Sequence, residues 1–289
     1  MGGCLIYRAV RNYLEVLKPR ESGLLTFIGV ASAIVAAGGQ PPGQLVLALF
    51  AILVASAGAN GLTNYLDRGV DARMQRTRNR ALPSKRIHPP QKVLPLTLGL
   101  VVIGLVLAGL LHWSVLVADL VGTTAAVVWR KRITCVFPQG AVASCTPVLM
   151  GWLAVKPVLD WEILLLCLLI AVWLPLHVWS IMIVNRDDYL NAGLSYFPLN
   201  IAVRKAVWVL FGFSLVLYAA SIVLYFVGGF GWLYLAAANI LGVIIVYGST
   251  RMAVSSAPRD TWRLYKLSAF PYLGVIFLVM CMDIWLVSG

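Results

Sequence analysis

Runs of mostly apolar residues, each roughly 17 to 25 long, recur along this chain, and a run of that length crosses about 30 Å of hydrocarbon. They fall near residues 22–38, 45–66, 93–111, 114–130, 137–155, 162–184, 207–227, 230–248 and 268–287. The expected fold is therefore an all-α integral membrane protein of nine transmembrane helices, a single domain over residues 1–289. Basic residues test the count independently. With a cytoplasmic N-terminus, 22 of the 23 Lys and Arg fall on inner segments and only Lys156 lies outside. An error of one span would mix the later loops, so count and orientation support each other. Residues 1–22 have no apolar core of signal-peptide length and carry Glu15 and Glu21, unlike a transit peptide. Multi-pass insertion in a prokaryotic plasma membrane is the expectation.

Composition removes the competing classes. The chain is 61% hydrophobic and only 12% charged, with a mean hydropathy of +0.87, whereas a soluble domain carries about a quarter charged residues. A net charge of +12 on a soluble protein would suggest nucleic acid; here it sets topology, and no nucleic-acid partner is expected. The five cysteines form no C-x-x-C and read as small buried hydrophobes.

Against this background each acidic residue near the bilayer needs a partner or a purpose. Asn60, Asn64, Asp67 and Asp71 follow i, i+4, i+7, i+11 at the inner end of the second span and share one helical face, with Thr63 at its edge. The bland reading pairs the two carboxylates with Arg68, Arg73 or other loop cations. Four such groups in one stripe argue for more, because like charges four residues apart repel unless a cation lies between them. Hard oxygen donors without nearby His or Cys suit Mg²⁺, which is held by one or two carboxylates plus substrate phosphate. The basic run from Arg73 to His88 is explained as charge by positive-inside bias alone. A phosphorylated ligand joining metal-bound carboxylates to Arg and Lys explains why it adjoins the stripe.

A second group, Trp173, His177, Trp179, Asn185, Arg186, Asp187, Asp188 and Tyr189, ends the sixth span on the same side of the membrane. Two adjacent Asp alone are a solvated turn; two acidic sites at one face suit two or more Mg²⁺ around one diphosphate. His177, about two turns deeper, reads on its own as a buried, hydrogen-bonded histidine. Asp119 reads as a helix-packing residue without an obvious partner, and Asp283 is left unassigned.

The stretch Asn64-Tyr-Leu-Asp67-Arg68-Gly-Val-Asp71, continued to Pro89, resembles the first aspartate-rich motif of the UbiA superfamily of intramembrane prenyltransferases. Trp173 to Pro198 is similar to its second motif in the branch that farnesylates protohaem IX, with His177, Arg186, Asp188 and Tyr189 on the matching positions. The small-residue run ending in Gly151-Trp152 and the stretch from Arg263 to Tyr272 look like that branch as well. The sequence departs where the family's asparagine falls on Thr63, beside Asn64, and where a frequent additional Asp falls on Gly69.

The resemblance implies transfer of a farnesyl group from farnesyl diphosphate to a vinyl group of haem b, followed by water, giving haem O. It implies Mg²⁺ on Asp67, Asp71, Asp187 and Asp188 with help from Asn64 and Asn60, and diphosphate on Arg68, Arg73, Lys131 and Arg186. Acceptor contacts then fall to His177, Trp173 and Tyr189, inside the membrane with the active site facing the cytoplasm. A haem-using or haem-modifying membrane protein is the partner such a product implies. A different acceptor, such as a quinone precursor or lipid headgroup, is the alternative within the superfamily. From another class, a cation-coupled transporter would place its polar groups near the bilayer midplane rather than at one face.

Overall fold

The structure, a computed structural model, describes residues 2–128, 137 and 139–288. It is helical, with no strand among the described residues, as hydrocarbon demands of a chain that must satisfy its own backbone groups. The helices are α1 Gly2–Leu17, α2 Pro19–Ala36, α3 Leu45–Asp71, α4 Leu94–Leu111, α5 Trp113–Val128, α6 Gln139–Val155, α7 Trp161–Val184, α8 Arg186–Asn191, α9 Val203–Val227, α10 Trp232–Ser255, α11 Pro258–Leu267 and α12 Leu273–Ser288. Each of the nine expected apolar segments overlaps one of them. By length and composition six helical stretches can cross a membrane: Leu45–Asp71, Pro90–Leu111, Trp161–Val184, Val203–Val227, Trp232–Ser255 and Pro258–Val287. Trp113–Val128 and Gln139–Val155 are apolar but shorter. Helix α2, diluted by Arg20, Glu21 and Ser22, falls in neither group.

Helices α2 to α6 pack in sequence around one ring, and α6, α7, α9, α10, α12 and α2 around a second, so that α2 and α6 are common to both. These two meet backbone to backbone. A Cβ on Gly151 would lie 1.8 Å from the Gly29 carbonyl oxygen, and one on Gly29 would lie 2.5 Å from that of Pro147. Ser32 adds a hydrogen bond to the Val148 carbonyl at 3.0 Å. Small residues at a crossing allow the close approach that drives helix association in lipid. Elsewhere the bundle is inverted relative to a soluble protein, with Leu110, Phe226 and Ile240 exposed on its flanks.

The two ends of the bundle differ. Short connections join α4 to α5, α6 to α7 and α9 to α10 at one end, where Trp113, Trp161, Trp232 and Trp285 are all exposed. Tryptophans in that position form the belt found at a membrane–water interface. Lys156 at this end lies 2.6 Å from Asp160 and 3.3 Å from Glu162, and the hydrogen bond to Asp160 together with Glu162 holds its ammonium above the usual lysine range. Asp160 also caps α7 by accepting from the Ile163 N–H. Asp283 is explained nearby: its carboxylate accepts from the N–H groups of Gly231 and Tyr234 and so caps α10 from α12. The opposite end carries the long basic loop 72–89, α8, α11 and both acidic motifs.

Candidate functional site

The stripe on α3 is one continuous helical face ending at Asp71. Its two amides dock the helix: Asn60 donates to Ser22 Oγ at 3.0 Å and Asn64 to the Val16 carbonyl at 2.6 Å, which ties α3 to the junction of α1 and α2. Asp67 is half-buried, whereas Asp71 is only 1% exposed. The chain turns back after Asp71 and lays a cation on it, with Arg80 Nη1 3.1 Å from Asp71 Oδ2. Thr77 supports that turn through its hydroxyl, which donates to the Asp71 carbonyl at 2.9 Å. A carboxylate this deep needs such a partner, since a buried ion left alone costs several kcal/mol on the order-of-magnitude scale.

The second motif reaches the same loop. Asp188 on α8 accepts from the backbone N–H of Gln75 at 2.6 Å and of Arg76 at 3.1 Å. Arg76 donates to the Tyr189 hydroxyl at 3.1 Å, with its guanidinium over the buried Tyr189 ring. Arg73 places its guanidinium beside Gly193, in the turn after α8. Asp187 is exposed next to this latch, and Arg186 donates to the Pro198 carbonyl at 3.4 Å. Residues 113 apart in sequence are thus joined through loop backbone rather than through their carboxylates. Among the described residues no three His, Cys, Asp or Glu side chains are grouped to hold an ion. Asp67, Asp71, Asp187 and Asp188 are therefore not gathered into one ligand cluster here; Asp71 holds a guanidinium and Asp188 two amide N–H groups.

Around Asp71 the loop leaves space. A small cleft of about 10 Å³ is lined by Asn64, Asp71 and Arg80 with Glu15 and Leu82. A larger one of about 470 Å³ shares Glu15, Asn64 and Arg80 with it and adds Arg11, Lys18 and Arg20, so four cations surround it. Glu15 clamps the arrangement by accepting from Arg86 at 2.7 Å and from the Ala81 N–H at 3.0 Å. Sequence reasoning missed Arg11, Glu15, Lys18, Arg20 and Arg80 as members of this site. The density of charge in the loop was visible, but which cation returns to Asp71 depends on how the loop folds.

Of the cations expected at diphosphate, Arg68 stacks on Tyr65 at 4.1 Å and lines a separate cleft of about 230 Å³ with Lys85 and His88. Lys131 lies outside the described residues. His177 is sandwiched between Trp173, at 5.1 Å between ring centroids, and Tyr265, at 4.6 Å, with Nδ1 3.3 Å from Ser268 Oγ. The indole N–H of Trp173 donates to the Ser268 carbonyl. That carbonyl belongs to the π-helical turn Ser268–Tyr272, where Pro271 has no N–H to contribute. Trp173 and His177 thus pack α7 against α11.

Residues 24–274 match the UbiA prenyltransferase family. The chain belongs to that family. A protoheme IX farnesyltransferase of Desulforudis audaxviator is 37% identical over 284 residues, covering 96% of this chain and 89% of the relative. One of Symbiobacterium thermophilum is 34% identical, covering 96% and 95%. Among solved structures, a digeranylgeranylglyceryl phosphate synthase has a TM-score of 0.78 at 15% identity, covering 96% of this chain and 98% of that one. A UbiA homologue from Archaeoglobus fulgidus bound to GPP and Mg²⁺ has a TM-score of 0.63 at 15% identity, covering 93% and 99%. These likenesses confirm the UbiA fold. With its apolar helices, this member of the UbiA family is an integral membrane protein.

Proposed function

We propose that this UbiA-family chain transfers a farnesyl group from farnesyl diphosphate to a vinyl group of haem b, with addition of water, giving haem O. The observation that carries the reading is the likeness to protoheme IX farnesyltransferases over 96% of the chain. The geometry agrees with it: a buried carboxylate, Asp71, lines a small cleft with Asn64 and Arg80, and a neighbouring larger cleft that shares Asn64 and Arg80 adds Arg11, Lys18 and Arg20 at the basic end of the bundle. One domain spans residues 1–289 in nine transmembrane passes, with the N-terminus and the site on the cytoplasmic side of a prokaryotic plasma membrane. The gathering of basic residues at the site's end, and the neutralisation of Lys156 at the other, support that orientation.

Asp67, Asp71, Asn64 and Asn60 on α3, and Asp187 and Asp188 across the loop, are the oxygen donors that would hold Mg²⁺. The donor set suits a hard cation, and Arg80 already supplies positive charge at Asp71. When bound, the ion neutralises charge developing on the departing diphosphate. Arg80 and the three cations of α1 and α2 bind the same oxygens, with Arg73 and Arg186 at the α8 side. This preorganised positive field is the main source of rate. Trp173, His177 and Tyr189 lie on the acceptor side, and a haem-using or haem-modifying membrane protein receives the product.

The test is mass spectrometry of haems extracted after purified protein is incubated with haem b, farnesyl diphosphate and Mg²⁺, with an EDTA control. A Mg²⁺-dependent gain of one farnesyl group plus one water is the expected result. Diphosphate release without any haem product would replace haem by another acceptor. No release from folded protein would overturn the prenyl-transfer reading.

A further inference from the structure

One carboxylate deep in the bundle is left over by this account. Asp119 on α5 is 2% exposed and lines a pocket of about 170 Å³ between α2, α3, α5 and α6. Its Oδ1 accepts from the Thr123 hydroxyl at 3.1 Å, whereas Oδ2 is buried with no hydrogen-bond partner among the described residues. An uncompensated buried carboxyl oxygen is costly, and native structures rarely retain one without use. The helix is not free to roll it away. At Gly122, three residues further on, a Cβ would lie 1.8 Å from Thr146 Oγ1 on α6, so α5 and α6 are locked at the cavity wall.

The pocket also lies beside the site already described. Asn60 and Thr63 line it, and both lie on α3 within a turn of Asn64 in the acidic stripe. Ser56, Ser144 and Thr146 add further hydroxyls to a lining that is otherwise apolar. Such a space is roomy and polar enough for ordered water, which needs two to four polar partners.

We infer that Asp119 and Thr123 hold the water that completes the reaction, and that Asp119 Oδ2 accepts its proton. The inference rests on the proposed farnesyl transfer to haem b. In that transfer the vinyl π pair forms a bond to the allylic carbon as its C–O bond breaks and the electron pair leaves with diphosphate. The positive charge then sits on the vinyl carbon next to the porphyrin ring. Water forms the C–O bond with a lone pair, and its proton passes to Asp119, which returns it to solvent. Without a placed water the same cation loses a proton from the neighbouring carbon, leaving a C=C bond and a product lighter by one water.

The experiment is therefore a product ratio rather than a rate. Asp119→Asn keeps the volume and removes the proton acceptor; Thr123→Val removes the hydroxyl that orients the carboxyl. Each full-length variant is incubated with haem b, farnesyl diphosphate and Mg²⁺, and hydrated and dehydrated farnesyl-haems are separated by mass. The hydrated-to-dehydrated ratio falls on the order of 10²-fold in Asp119→Asn, the scale of general-base catalysis, and by less in Thr123→Val. A wild-type ratio in both variants overturns the inference. So does a folded Asp119→Asn protein that transfers no farnesyl group, because Asp119 then serves the earlier step. Absence of any farnesyl-haem from the wild type removes the reading beneath and this inference with it, a different result from an unchanged ratio.

Discussion

Replacing Asp188 by alanine tests whether that carboxylate fastens the basic loop. The carboxylate accepts two backbone N–H groups, from Gln75 and Arg76, at 2.6 and 3.1 Å. Hydrogen bonds to a charged group contribute about 1.5–3 kcal/mol each when shielded from water. Asp188 is only half-buried, and solvent screening reduces the pair to about 2 kcal/mol in total. That corresponds to roughly a 30-fold rise in the population with the loop detached. Loop 72–89 contains Arg73, Arg76, Arg78, Arg80, Lys85 and Arg86, so limited trypsin digestion of the purified protein reads the detachment directly. Cleavage follows the open population when reclosing outpaces the protease. The expected result is cleavage within the loop about 30-fold faster than in wild type, with Asp188→Asn intermediate because its amide oxygen still accepts one bond. An Asp188→Ala protein that loses activity but is cut at the wild-type rate would show that the residue serves only a ligand and not the loop.

Three further outcomes follow from contacts elsewhere. Arg80→Met leaves Asp71 buried without its guanidinium and lowers the thermal midpoint by the equivalent of about 1–3 kcal/mol, partner loss discounted for the one-third exposure of Arg80; added Mg²⁺ recovers part of the loss in a melting assay, and no recovery would count against ion binding at Asp71. Gly151→Ala drives a methyl group into the Gly29 carbonyl and costs at least about 1–3 kcal/mol, seen as loss of monodisperse protein on size exclusion in detergent. Asp283→Leu uncaps α10 by freeing the N–H groups of Gly231 and Tyr234, for a loss of about 1–3 kcal/mol in the same melting assay.

The parts legible in the sequence were those governed by local period. The stripe from Asn60 to Asp71 needed only a helix of 3.6 residues per turn, and the spans needed only length and apolarity. The pairing of Asp188 with Gln75 and Arg76 had no such signal, because backbone donors are identical at every position and nothing in side-chain type marks which ones are used. Arg80 is one of several arginines in its loop, and its return to Asp71 depends on the turn supported by Thr77. Glu15 was visible only as a charge that a transit peptide would lack, while its contact with Arg86 spans 71 residues. His177 illustrates the reverse case: a hydrogen-bonded histidine packed in the bundle was the plain reading, and the aromatic sandwich on α7 and α11 agrees with it.

The crossing of α2 and α6 bears on how the protein is made. Helix α2 is synthesised first among the bundle helices yet is too polar at its start to rank with the six strongly apolar stretches. Its closest partner arrives late, since Ser32 bonds Val148, 116 residues further along the chain. During translation α2 must therefore wait at the translocon, or shelter against α3, until more than half of the polypeptide has emerged. Placement of α2 is on this account a property of the assembled bundle, and chains truncated before α6 should expose α2 to quality-control proteases.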